Sequence, residues 1–197
     1  MKEILVFTAG RSDFGILKNL ISKIKSHKSF NLTLIIGPAH NSKIFGFTKQ
    51  EIETLKIEKK IFLKSGTNNS SGHDILNSMS QITMDIANNF SKKKYDAAIV
   101  LGDRYEALNF VFCCFIFRIP IIHIGGGSIT LGSLDDIYRK CISQMASLHF
   151  VETSNHKKNL NNIGIKKNIF ITGAPALENI YDKKTPLSIL NGKYDDF

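Results

Sequence analysis

Chemistry in this 197-residue chain gathers around a few arginines, carboxylates and glycines. Lysine is its ordinary cation, 22 against 4 arginines, so arginine placement is informative. Arg11 lies in Gly10-Arg11-Ser12-Asp13, and Arg104 in Gly102-Asp103-Arg104-Tyr105-Glu106. A planar guanidinium grips a phosphate or carboxylate at two points, which an ammonium cannot do. Gly125-Gly126-Gly127-Ser128 offers backbone N–H groups ahead of a helix, a setting for the same kind of anion. Together these residues point to a diphosphate or another dianion. Asp103 beside Arg104 would stay ionised, fit to serve as a base or to accept a substrate hydroxyl. Glu106 has the plainer reading of an acid in the first turn of a helix. Arg139 stands four residues after Asp135, which favours an ion pair along one helix. His40, after Pro38, is the candidate site histidine. His123, inside the apolar run Ile121-Ile122-His123-Ile124, reads as a buried, hydrogen-bonded structural ring. No spacing suggests a metal site, and neither GxGxxG nor GxxxxGK[ST] occurs, so no cofactor is expected.

These residues need elements to hold them. The chain alternates short β-branched runs with longer amphipathic ones. Strands are predicted at 4–8, 32–36, 61–63, 97–101, 120–124, 148–151 and 168–172. Helices are predicted near 13–27, 49–57, 73–90, 103–117, 134–146 and 154–163, the last capped by Ser154. Residues 64–72 read as an exposed loop. The 103–117 helix is almost wholly apolar, so it is expected to be buried on most sides. Continuous apolar strands mark a parallel sheet covered on both faces, here a doubly wound α/β sheet of Rossmann-like type. Ligands bind such sheets at the carboxyl ends of the strands, where Gly10, Arg11, His40, Asp103, Arg104 and the triple glycine all fall.

Composition narrows the class. With 43% hydrophobic and 22% charged residues, the chain is a folded domain rather than a disordered tail. The formal charge of +9 comes from scattered lysines without a dense basic stripe, so no nucleic-acid partner is expected. Three cysteines without CxxC spacing suit a reducing cytoplasm. No signal peptide is evident, and the apolar stretch 110–117 is far too short to span a bilayer, so no membrane partner is expected.

The motifs also resemble those of a known family. Thr8-Ala9-Gly10-Arg11-Ser12-Asp13-Phe14-Gly15 resembles the opening loop of the UDP-N-acetylglucosamine 2-epimerases. Gly37-Pro38-Ala39-His40, followed at a distance by Phe45-Gly46, is similar to their G-x-x-H loop. Leu101-Gly102-Asp103-Arg104-Tyr105-Glu106 resembles the LGDRYE motif of the hydrolysing branch. His123-Ile124-x-Gly126-Gly127 with Asp135-Asp136-x-x-Arg139 resembles the stretch that follows it, and Gly173-Ala174 with Glu178-Asn179 the exit from the first domain.

The resemblance implies half of a GT-B fold and conversion of UDP-N-acetylglucosamine to N-acetylmannosamine and UDP, feeding sialic-acid-type surface sugars. It implies Asp103 and Asp135 as acid/base residues. It implies Gly10, Arg11, Asp13, His40, Arg104, Glu106, Gly126, Gly127, Ser128 and Arg139 as substrate-binding. The chain departs from the pattern at Gly125 and Ser128, where many members carry Glu, and at Lys140 and Gln144. Ser128 can hydrogen-bond but cannot act as a base. Family chains also carry a second domain. The expectation is therefore an N-terminal domain over residues 1–185, a polar linker at 186–197, and no second domain. The expected partners are a UDP-sugar, with a second copy or a separately encoded C-terminal domain left open. A non-catalytic sugar-nucleotide-binding domain is the alternative.

Overall fold

The computed structural model describes residues 1–41, 48–64, 71–90 and 93–178. The readings placed on Phe45-Gly46, on most of the 64–72 loop and on the 179–197 tail lie outside them.

Seven strands form one parallel sheet: β1 (Lys2–Thr8), β2 (Phe30–Ile36), β3 (Lys59–Phe62), β4 (Ala97–Leu101), β5 (Ile121–Ile124), β6 (Leu148–Val151) and β7 (Ile169–Ile171). Their spatial order is β3-β2-β1-β4-β5-β6-β7. The connecting helices are α1 (Arg11–Ser26), α2 (Lys49–Thr54), α3 (Gly72–Phe90), α4 (Tyr105–Ile116), α5 (Leu134–Met145) and α6 (Ser154–Asn162). From β1 the chain winds outward to β3, then crosses back to β4 and winds the other way. Right-handed crossovers then put α1 and α2 on one face and α3 to α6 on the other.

The side chains follow that division, because alternate strand residues point to opposite faces. Ile4, Val6 and Leu34 pack under Phe14, Leu17 and Ile21 of α1. Leu5, Phe7 and Val100 pack under Ile82 and Ile86 of α3, Phe110 of α4 and Ile142 of α5. The doubly wound class expected from the apolar runs is the class observed. The sheet reverses its winding between β1 and β4, which pair from Ile4↔Ala97 to Val6↔Ile99. A crevice opens at the carboxyl ends of two such strands.

Three details differ from the sequence reading. Asp103 and Arg104 precede α4 in a loop, with Arg104 at the cap position, so both are held at the rim. Thr153, rather than Ser154, caps α6: its hydroxyl accepts the His156 N–H at 3.2 Å. Above all, α4 is buried on one side only. Phe112, Phe115 and Ile116 are 53%, 55% and 63% exposed. The cause is geometric, since α4 lies between α3 and α5 in a single layer and nothing among the described residues covers its outer side. No helix among the described residues is long and apolar enough to cross a membrane.

The two sides of α4 should respond differently to truncation. Phe110 is fully buried and stacks on Phe7 with ring centroids 4.7 Å apart. Phe110→Ala should cost about 3–5 kcal/mol in urea unfolding. Phe112→Ala should stay within about 0.5 kcal/mol in the monomer.

Candidate functional site

Because β1, β4 and β5 are neighbours, the loops after them meet on one rim. The loop after β1 is set by Asp13. Its carboxylate accepts the Ala9 N–H at 3.0 Å and the Ser12 hydroxyl at 3.1 Å, closing the first turn of α1 in the manner of a capping box. Burial pushes its pKa up, against the pull of those bonds and of Arg104. Gly10 is the cap residue and Arg11 the first helical residue, with its side chain exposed.

Arg104 is held from behind. Its Nε and one terminal nitrogen donate to the two oxygens of Glu106 at 3.1 and 2.9 Å. The Glu106 carboxylate is buried, whereas the Arg104 side chain remains 43% exposed. The Glu106 bond raises the arginine's pKa further, so the cation is permanent and fixed in direction. Its remaining N–H groups are left for an anion. Glu106 thus does more than favour the helix dipole.

Asp103 pairs with Arg139. The same guanidinium donates to the Ser128 carbonyl at 2.8 Å and the Thr130 hydroxyl at 3.2 Å, and stands 3.7 Å from Asp136. The pairing with Asp135 read from the i,i+4 spacing is therefore corrected. Arg139 is buried on the inward side of α5, where it spans the loops after β4 and β5. An exposed pair along the helix would be worth only a few tenths of a kcal/mol. Asp135 is half-buried in the first turn of α5, and its N–H bonds to the Ser133 hydroxyl at 3.1 Å. Lys140 pairs with Asp136 at 2.6 Å. Burial lowers the Arg139 pKa while the Glu152 carboxylate opposes it.

The glycine loop is shaped by what lies under it. His123 is fully buried, its Nε2 donating to the Gly102 carbonyl at 3.0 Å and its Nδ1 accepting from the Ser143 hydroxyl at 3.0 Å. A Cβ at Gly126 would lie 3.0 Å from that same Nδ1 and from the Ser143 oxygen. Gly127 has φ +81°, and a Cβ there would strike the His156 carbonyl. Its own carbonyl accepts from Asn159 of α6 at 2.8 Å. Ser128 follows, partly exposed, with its carbonyl on Arg139.

His40 is also fully buried, its ring nitrogens 3.0 and 2.6 Å from the Thr8 and Thr48 hydroxyls. It braces the loop after β2 against the end of β1. Ser143, Asn159 and Thr130 join the site without having been singled out from the sequence, and Asp136 joins it from the Asp135-Asp136 motif. The spacing of Ser143, four residues after Arg139, was the signal available for one of them. Among the described residues, no three His, Cys, Asp or Glu side chains cluster as a metal ion would require.

Two cavities flank the rim. One of about 190 Å³ lies behind the glycine loop, lined by Ser128, Arg139, Ser143 and Asn159. The other, about 280 Å³, is an apolar groove between α1 and the outer strands, lined by Leu20, Ile122, Ile124, Phe150 and Pro175.

The chain is similar to known proteins. A family model described as UDP-N-acetylglucosamine 2-epimerase matches residues 22–193. A GDP/UDP-N,N'-diacetylbacillosamine 2-epimerase (hydrolyzing) of Campylobacter jejuni is 37% identical over 177 residues, covering 89% of this chain and 46% of that protein. A polysialic acid biosynthesis protein of Escherichia coli is 32% identical, covering 94% and 48%. The crystal structure of a UDP-GlcNAc 2-epimerase from Neisseria meningitidis bound to UDP-GlcNAc superposes with a TM-score of 0.79 at 20% identity, covering 96% of this chain and 51% of that one. The chain spans about half the length of the curated relatives it matches.

The two buried rings make stability depend on pH. Burial lowers His40 and His123 from 6.5 to about 4, against the hydrogen bonds that favour the charged form. Both rings stay neutral in the folded protein until about pH 4, whereas in the unfolded chain they gain protons near 6.5. Stability should be complete above pH 6.5 and decline as the pH falls toward 4, by up to about 3 kcal/mol per ring. Denaturant unfolding across that interval measures the slope. His123→Gln should flatten it while lowering stability near neutral pH.

Proposed function

The chain belongs to the UDP-N-acetylglucosamine 2-epimerase family, and on that footing we propose that it forms one wall of a cleft for hydrolysing 2-epimerisation of a nucleotide-activated N-acetylated hexose. The observation that carries the reading is the rim itself. A carboxylate, Asp103, stands between a braced guanidinium, Arg104, and the Arg139-anchored glycine loop. The similarity to hydrolysing relatives agrees with it.

The chemistry divides among these residues. A C2–H beside an acetamido group is a weak acid, so its removal needs a positioned base, the role given to Asp103. The electron pair left at C2 forms a C1–C2 double bond as the C1–O bond to the diphosphate breaks. Arg104 and Arg11, with the N–H groups opening α1, would receive the charge developing on the leaving diphosphate. Water then adds its oxygen to C1, and C2 takes a proton from the opposite face, giving the inverted free sugar. Asp135, near the start of α5, is the second carboxylate for that step. Residues 1–185 would form the domain and 186–197 the linker to a second domain that supplies the other wall. A reducing cytoplasm suits free Cys113, Cys114 and Cys141.

Ser128 favours a second reading. Where the family motif carries Glu, this hydroxyl can bind a sugar but cannot move a proton, as in a domain that binds nucleotide sugar without turning it over.

The test pairs this chain with a family second domain and follows UDP release from UDP-N-acetylglucosamine and from its 2,4-diacetamido analogue. Release is expected, and Asp103→Asn should lower it by a factor of about 10²–10⁴ with an unchanged circular dichroism spectrum. Undiminished release would remove Asp103 from the mechanism. Calorimetric binding of UDP-sugar without any release would establish the second reading.

A further inference from the structure

The edge of the sheet opposite the rim has no part in that chemistry. Every strand of a parallel sheet begins there. At β3, β2, β1 and β4, which lie side by side, the chain arrives through lysines. Lys25 lies in the last turn of α1 and Lys28 leads into β2. Lys56 precedes β3, Lys59 opens it, and Lys94 leads into β4. In the sequence these lysines are scattered, and the fold gathers them. The carboxylates of this edge are largely taken by other lysines. Asp96 pairs with Lys2 at 3.0 Å, Glu3 with Lys93 at 2.5 Å, and Glu53 with Lys60. Lys25, Lys28, Lys56, Lys59 and Lys94 are exposed and make no ion pair among the described residues, and Glu58 is the one carboxylate left beside them. From this gathering we propose that the amino edge of the sheet rests on an anionic lipid surface, with the rim turned away from it toward solvent.

Three observations choose that partner. The first is charge. At the rim, Arg104 and Arg139 are matched by Glu106 and Asp103, whereas the amino edge sets five free ammonium groups against one carboxylate. The excess behind the formal +9 is therefore directed away from the site, toward whatever anion faces the amino edge. The second is level. Lys2 pairs with Phe30 and Ile4 with Ala97, so β1, β2 and β4 start at one height. Lys59 lies opposite Thr33, three residues along β2, and Lys56 stands three residues earlier, back at that height. A level row of cations fits a flat partner. The third is residue type. Arginine forks and free aromatic rings are what read and stack bases. This stretch has no arginine, Tyr95 is buried, and Phe30 is half-buried against the His27 ring. Lysine instead supplies flexible point charges, which suit mobile phosphate headgroups and add to one another near an anionic leaflet. Contact of this kind needs no spanning helix, and none is present among the described residues.

Co-sedimentation of the full chain with vesicles tests this and is independent of any turnover. Vesicles of one part phosphatidylglycerol to two parts phosphatidylcholine should retain the chain at low salt and release it as salt rises. Vesicles of phosphatidylcholine alone should not retain it. Lys28→Gln, Lys56→Gln and Lys94→Gln combined should weaken retention by about 100-fold. These side chains are exposed, so the circular dichroism spectrum and the urea midpoint should not move. Lys18→Gln, Lys157→Gln and Lys158→Gln combined remove the same charge from α1 and α6, away from the edge, and should weaken retention by less than about threefold. A chain that ignores anionic vesicles would overturn the proposal. So would equal losses in the two triple variants, which would make net charge the cause. Binding to a DNA duplex that the first triple variant abolishes, without retention on vesicles, would assign the edge to nucleic acid and overturn it as well.

Discussion

A buried guanidinium must find acceptors, and the rim is built around satisfying one. Arg139 is almost wholly out of solvent, and an unpaired charge there would cost several kcal/mol. It meets that demand with a carboxylate from the loop after β4, and with a carbonyl and a hydroxyl from the loop after β5. Two strands' loops are thereby fixed to one helix. Asp103 is positioned by the same contact that holds the glycine loop, so the carboxylate and the loop share one support.

Arg104 shows a contrasting use of the same side chain. Its fork is closed on one edge by buried Glu106 and open on the other. Arg139 is spent internally, whereas Arg104 is braced and presented. His123 lies beneath both, tying the Gly102 carbonyl to Ser143 of α5 across adjacent strands. The frame therefore runs from β4 through a ring to α5, and from α5 through a guanidinium back to the loop after β4.

Much of this was legible in the sequence. Continuous apolar runs gave a parallel sheet, and the residue types after each run gave the rim. The motif around Gly126 and Gly127 was recognisable, and the structure supplies the reason, since a ring and a carbonyl occupy the space of any side chain. Other features were hidden because they depend on tertiary neighbours. Helical spacing pointed Arg139 to Asp135, but which side of α5 turns inward is decided by Ile142 and Ser143 packing on the sheet. Apolarity suggested that α4 was enclosed, yet composition cannot say how many layers lie above a helix. His40 looked like a loop histidine, because nothing in local sequence shows that Thr8 and Thr48 close on its ring.

The glycine loop is held chiefly through main-chain atoms. The carbonyls of Gly102, Gly127 and Ser128 take the bonds from His123, Asn159 and Arg139. None of those bonds uses the side chain of residue 128. That position is consequently an exchangeable fitting on a fixed chassis: evolution can swap its reactive group without rebuilding the backbone that carries it. Any side chain placed there inherits the same backbone position and the same three supports.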